Sequence, residues 1–312
     1  MSAQSLLHRF IFLGSEGDER LAPVRGELVQ LDDAWQNLLS RSEYPPAVAA
    51  LLGEAAVAAV LLAATLKIDG KLTLQIVSDT PVEERTKTAG KPLAVHLLVM
   101  QVSSKRELRG LARWHGDPLQ SDARDLALLS SGRLVMTIET ARGERYQGIV
   151  PLEGERLAHA LQGYFQRSEQ LPTRLWLEAD GHNAAGLLVQ KMPEHHSAAD
   201  DEDWNRIVAL SDTVTREELL GLPAETLLRR LFHEEDRRVY TPENVKFKCS
   251  CSRERVGEML RGLGQEEIAQ TLAEQGNIEV DCEFCNARYV FDAVDAAALF
   301  VELPHLSAHG LH

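Results

Sequence analysis

The chain has 312 residues, 44% apolar and 26% charged, the mix of an ordinary soluble globular protein long enough for one large domain and a small one. Its 33 Lys and Arg face 47 Asp and Glu, a net charge of −14, which argues against a nucleic-acid partner because phosphate contacts need clustered positive charge. The acid is uneven: residues 194–312 hold 12 basic and 24 acidic residues, residues 1–193 hold 21 and 23, so two units with different tasks are expected.

Met1 to Leu13 has no long apolar core behind a basic start, so a cytoplasmic protein is expected. His8–Leu13 reads as a strand, Asp32–Arg41 and Pro46–Lys67 as helices, and Leu72–Val77 as a strand bounded by Gly70. Pro45–Pro46 starts the second helix, where proline is tolerated. Its apolar run Ala47–Leu66 is Ala-rich and broken by Gly53 and Glu54, which favours a buried core helix over a membrane span. No membrane partner is expected.

Asp79–Pro92 reads as an exposed polar loop. Strands follow at Ala94–Val102, Arg133–Thr140 and Arg145–Val150, the last two forming a hairpin around Ala141–Gly143. A helix is expected over Glu153–Arg167, then strands Thr173–Glu178 and Ala184–Lys191. Hairpin-connected strands with helices gathered elsewhere predict an α+β fold with an antiparallel-rich sheet. No phosphate loop, dinucleotide fingerprint, zinc-protease helix motif or nucleophile elbow is present, and no enzymatic role is expected.

From Pro193 the texture changes. His195–His196 and the acidic run Asp200–Asp203 read as a linker entering helix. Thr215 and Glu218 form a capping box ahead of Leu219, Leu220 and Leu222, and Pro223 starts a helix carrying Leu227, Leu228, Leu231 and Phe232 on one side. Such short helices are marginal alone and must lay their apolar face on something. The organisation expected is a core domain (1–193), a helical linker (194–244), a small domain (245–302) that carries every cysteine of the chain, and a tail (303–312) on which His305, His309 and His312 are solvated.

All four cysteines fall late in the chain, Cys249 and Cys251 as C-x-C and Cys282 and Cys285 as C-x-x-C. Without an export signal, paired spacing favours metal over permanent disulfides, and four thiolates make a closed tetrahedral set for one structural Zn²⁺. The C-x-x-C lies between two strand-like runs, Ile278–Asp281 and Ala287–Phe291, as in a zinc knuckle. Zinc-held thiolates are also the form that oxidants attack, so the module suits an oxidation switch. A zinc-ribbon interaction or transcription module is the alternative, disfavoured by the acidity of residues 194–312. A dithiol oxidoreductase is another, disfavoured by Glu283 beside Cys282, which raises the thiol pKa.

The run Phe247-Lys-Cys-Ser-Cys-Ser-Arg-Glu-Arg255, the Glu283–Phe284 insert and Tyr289–Phe291 resemble the thirty-three-kilodalton heat-shock protein family of redox-regulated holdase chaperones. Tyr146-Gln-Gly-Ile-Val-Pro-Leu-Glu153 and Tyr164–Arg174 extend the resemblance into the first domain, with departures at Asp79–Pro92 and Ser131–Gly132. The resemblance implies a chaperone that is inactive while reduced and zinc-bound. Oxidation would then form two neighbouring disulfides, release zinc, unfold the module and linker, and expose a surface for unfolding client proteins, with dimerisation on activation and no use of ATP. Four cysteines allow three pairings, and short loop closure favours Cys249–Cys251 with Cys282–Cys285. The candidate client surface is Leu219, Leu220, Leu227, Leu228, Leu231 and Phe232.

Overall fold

The computed structural model describes residues 4–13, 21–66, 69–78, 93–117, 125–129, 132–193 and 198–300. The Asp79–Pro92 loop, Ser131, His195 and His196, and the tail histidines lie outside the described residues. The chain divides into two compact units, residues 1–248 and 249–312.

The first unit is built on two sheets. One has the order β10-β1-β2-β9-β8, from β1 (Leu6–Leu13), β2 (Leu21–Leu31), β8 (Thr173–Ala179), β9 (Ala184–Lys191) and β10 (Arg237–Val239), with β11 (Glu243–Asn244) also on β1. The other has the order β12-β5-β4-β3-β6-β7, from β3 (Gly70–Ser78), β4 (Ala94–Ser103), β5 (Glu107–His115), β6 (Gly132–Thr140), β7 (Arg145–Pro151) and β12 (Lys246–Phe247). Neighbours pair antiparallel throughout except β12 on β5. The α+β class and the antiparallel bias expected from sequence are found.

Helix α1 (Asp33–Leu39) precedes α2 (Pro46–Thr65), which packs against strands of both sheets and is buried almost throughout. That is why its sequence is apolar on every side and long enough to span a membrane: it is a core helix. Glu54, mid-helix and 3% exposed, is held by Arg156 at 2.9 Å, and Arg156 also pairs with Glu178 at 2.8 Å. A buried carboxylate is tolerable only when paired in this way.

Several expectations need correction. The helix anticipated over Glu153–Arg167 begins only at Leu157 (α3, Leu157–Tyr164), because Gly154 turns the chain with φ 88°; a π-turn then carries it through Phe165–Glu169 to Gln170 at φ 54°. The 194–244 segment is not purely helical: after α4 (Ala198–Ser211), α5 (Arg216–Gly221) and α6 (Ala224–Leu231) it contributes β10 and β11. Val245, placed by sequence in the zinc domain, is 2% exposed in the core between the sheets, and Lys246–Lys248 stay with the first unit.

The second unit comprises α7 (Arg253–Leu263), α8 (Gln265–Gln275), the hairpin β13 (Ile278–Asp281) and β14 (Arg288–Phe291), and α9 (Ala293–Leu299). Its core is small: Leu260, Ile268, Ile278, Phe291 and Ala296 are the buried members among the described residues. Ser252 caps α7 and Asp292 caps α9 through a reciprocal box with Asp295, so helix ends carry part of the stabilisation that a larger core would supply.

Candidate metal centre and covered sheet face

The turn between β13 and β14 positions one pair of thiols. Cys282 N–H donates to Ala287 carbonyl at 2.9 Å, while the Cys282 carbonyl accepts from Asn286 N–H at 2.7 Å and Cys285 N–H at 3.3 Å. Asn286 sits at φ 57°, a left-handed conformation that Asn adopts more readily than most residues. The other pair, Cys249 and Cys251, lies just before the Ser252 cap, where the first turn of α7 presents its partial positive charge.

Together the four Sγ atoms fall within 4.8 Å of one another, all half-buried and unbridged. Cys249 lies 3.6 Å from Cys282 and Cys251 lies 3.4 Å from Cys285, well beyond a disulfide bond. Sulfurs about 2.3 Å from a tetrahedral zinc stand roughly 3.8 Å apart, so the spacing fits such an ion. Tyr289 Oη donates to Cys251 Sγ at 3.1 Å.

The electrostatics point the same way. Burial, and then the neighbouring sulfurs, push the Cys285 thiol up to about 12, and burial also raises Cys282. The hydrogen bond to Cys251 pushes the Tyr289 phenol up to about 12. Thiols so placed resist ionising together unless a cation shares their charge. The cluster is therefore suited to holding a metal through four thiolates, with no place left for a reacting water.

The linker leucines are brought to a different place. The face of the first sheet turned away from α2 presents Phe10, Phe12, Val24, Leu28, Leu187 and Val189, and α4–α6 cover it. Leu219, Leu227, Leu228, Leu231 and Phe232 are at most 2% exposed there, and Leu220 packs at the margin. Phe232 stands edge-on to Phe12 with ring centroids 5.0 Å apart and lies 6.0 Å from Phe10. Polar ties are few. Gln30 donates to the Leu222 carbonyl at 2.7 Å, Arg216 reaches Glu178 and the Ala179 carbonyl, Arg174 pairs with Asp212, and Lys191 pairs with Asp201. The Thr215–Glu218 capping box is present.

Sequence reasoning missed the partners of this arm because it gave no reading to β2. The strand is buried on both sides, so period-two alternation is absent, and Arg25 and Glu27 interrupt the apolar run.

A sequence profile described as Hsp33 protein matches residues 19–292. A protein named 33 kDa chaperonin from Nitrosococcus oceani is 47% identical over 97% of this chain and 96% of its own length. Its namesake from Ectopseudomonas mendocina is 46% identical over 92% of this chain and 95% of its own. The crystal structure of the 33 kDa chaperonin from Thermotoga maritima superposes with a TM-score of 0.75 at 22% identity, covering 95% of this chain and 98% of that one, which shows a shared fold. With the thiol cluster and the sheet architecture in place, a profile match across most of the chain and near-half identity over nearly its full length establish that this protein belongs to the Hsp33 family.

Proposed function

We propose that the protein is a redox-regulated, ATP-independent holdase chaperone of the cytoplasm. The observation that carries this reading is the pairing of an oxidisable four-thiol centre in a unit of minimal core with an arm of short helices covering an aromatic and aliphatic sheet face. The names of its relatives, 33 kDa chaperonin, support the chaperone part.

In the reduced protein Cys249, Cys251, Cys282 and Cys285 would hold one zinc ion, which when bound offsets half of the four thiolates' charge and ties the C-x-C segment to the hairpin turn. Soft tetrahedral sulfur donors select zinc over the harder divalent ions. Each pair of thiolates gives two electrons to peroxide and, with two protons from solvent, yields one disulfide and two waters. The sulfurs are then no longer a thiolate ligand set, and a unit with so small a core unfolds. The arm follows: its helices, too short to persist alone, release Leu219, Leu220, Leu227, Leu228, Leu231 and Phe232, and uncover Phe10 and Phe12 beneath them. The exposed apolar surface takes up unfolding client chains, and activated protomers dimerise, while the surplus acid keeps the assembly soluble.

Zinc content and suppression of aggregation of a chemically denatured client, measured side by side before and after peroxide and without ATP, test this. Reduced protein should carry one zinc and fail to hold the client; oxidised protein should lose the zinc and hold it. Equal holding in both states would reject the redox switch.

A further inference from the structure

The chain does not pass from the arm to Cys249 as a free loop. Residues 237–239 and 243–244 add short strands to β1 of one sheet, and residues 246–247 add a parallel strand to β5 of the other. Strands of two or three residues are marginal, so other contacts must fix the segment. Backbone N–H groups supply some: Tyr240 donates to the Arg9 carbonyl at 2.9 Å, Val245 to Ser5 at 2.9 Å, Lys246 to Arg106 at 3.0 Å and Lys248 to Leu108 at 2.9 Å.

Where the segment crosses from one sheet to the other, a single carboxylate bridges the crossing. Glu243 Oε1 takes the Arg9 guanidinium at 2.5 Å, and Glu243 Oε2 takes Arg106 Nε at 2.9 Å. Arg9 belongs to β1; Arg106 belongs to the turn between β4 and β5. Arg106 is 8% exposed and held at φ 58°, a strained conformation for so large a residue. Its guanidinium holds Glu243 and its carbonyl holds Lys246, so turn and segment fix each other. Without the Glu243 charge, Arg9 and Arg106 would lose their shared partner, and the segment would keep its short ladders, the buried Val245 and the Lys248–Glu107 pair at 2.7 Å.

We propose that Glu243 is a positioning residue of the switch, setting how readily a disturbance that starts at Cys249 and Cys251 travels back along the chain into the arm. The inference rests on the redox-switch reading and adds to it the place where the transmission is resisted. Because Glu243 is partly solvent-exposed, the resistance is moderate, about tenfold and not absolute.

Hydrogen exchange on the full chain, zinc-loaded and reduced and then at intervals after peroxide, tests it in the wild type, Glu243→Gln, Glu243→Asp and Arg106→Gln. In reduced Glu243→Gln, amides of residues 240–248 should lose about tenfold of their protection while those of residues 173–191 keep theirs. After peroxide, residues 203–232 should open several-fold sooner than in the wild type. Arg106→Gln should act in the same direction and Glu243→Asp should restore most of the delay. Unchanged protection at 240–248 in Glu243→Gln overturns the inference, and so does an arm that opens at the wild-type time, or in neither protein. Because the arm is read directly, a wild-type arm that opens on oxidation yet holds no client counts against the functional reading alone.

Discussion

At the scale of single residues, two side chains give opposite lessons about charge in the interior. Cys282 is one of four equal partners, and the unit around it has too small a core to stand without them. Cys282→Ser should therefore strip the metal and unfold residues 249–300 while the two sheets of the first unit stay protected; metal analysis with hydrogen exchange checks both halves. Structural zinc is worth about 10–16 kcal/mol in small modules, so a three-thiol remnant should not retain the fold. Glu27 is the contrary case, a carboxylate carried into the core by β2, where the Thr65 hydroxyl donates to it at 2.9 Å. Burial raises it to about 7 against an ordinary 4.5, a shift that Thr65 and the arginines Arg25, Arg106 and Arg9 only partly offset. Its folded form binds the proton more tightly than the unfolded form, so it costs nothing below about pH 4.5, and stability falls as pH rises to about 7 and then levels. Glu27→Gln should abolish that slope, leaving the variant unchanged at pH 4.5 and more stable by about 3 kcal/mol at pH 8 in denaturant titrations.

At the scale of elements, the arm is where local sequence and tertiary context meet. Its capping box and leucine spacing are legible because they are local chemistry: the Thr215 and Glu218 side chains each accept from the other's backbone N–H, and Leu227, Leu228 and Leu231 share a side of one helix. What they cover is not legible, because it depends on β2 and β9 pairing across the fold and turning Val24, Leu28, Leu187 and Val189 outward. The thiol cluster divides in the same way. Cysteine spacing and the two flanking strands announce a knuckle, whereas the approach of Cys251 to Tyr289 and the crossing carboxylate Glu243 arise only from folding. Helices α7 and α8 are harder to read, since charged and polar residues outnumber the apolar ones along them. Phe232 is the test of the arm as an element. Packed between Phe10 and Phe12 and fully buried, it should cost about 3–5 kcal/mol when truncated to Ala. If the arm restrains client binding, reduced Phe232→Ala should suppress client aggregation without peroxide; a destabilised arm with no gain in holding would place the client surface elsewhere.

At the scale of the whole molecule, the order of events is written in which sulfurs join. In the folded cluster all four sulfurs are close, and two of the short approaches cross between the pairs, Cys249 to Cys282 and Cys251 to Cys285. Oxidation of an intact cluster that joined those crossed pairs would staple the C-x-C segment to the hairpin turn and stiffen the unit that the proposed switch opens. Oxidation coupled to unfolding has the opposite outcome. Once the chain is open, closure entropy favours partners nearest in sequence, so Cys249–Cys251 and Cys282–Cys285 dominate and neither restrains the distance between the two halves of the unit. Peptide mapping of alkylated protein, quenched early and late after peroxide, should find the neighbouring pairs as the main species at both times. Hydrogen exchange on the same samples should show residues 249–300 losing protection first, residues 203–232 following, and Tyr146–Arg174 retaining theirs, because only the first unit has a core large enough to persist. Crossed disulfides as the main product, with residues 249–300 still protected, would mean that oxidation locks the unit, and the arm would then need a different trigger for its release.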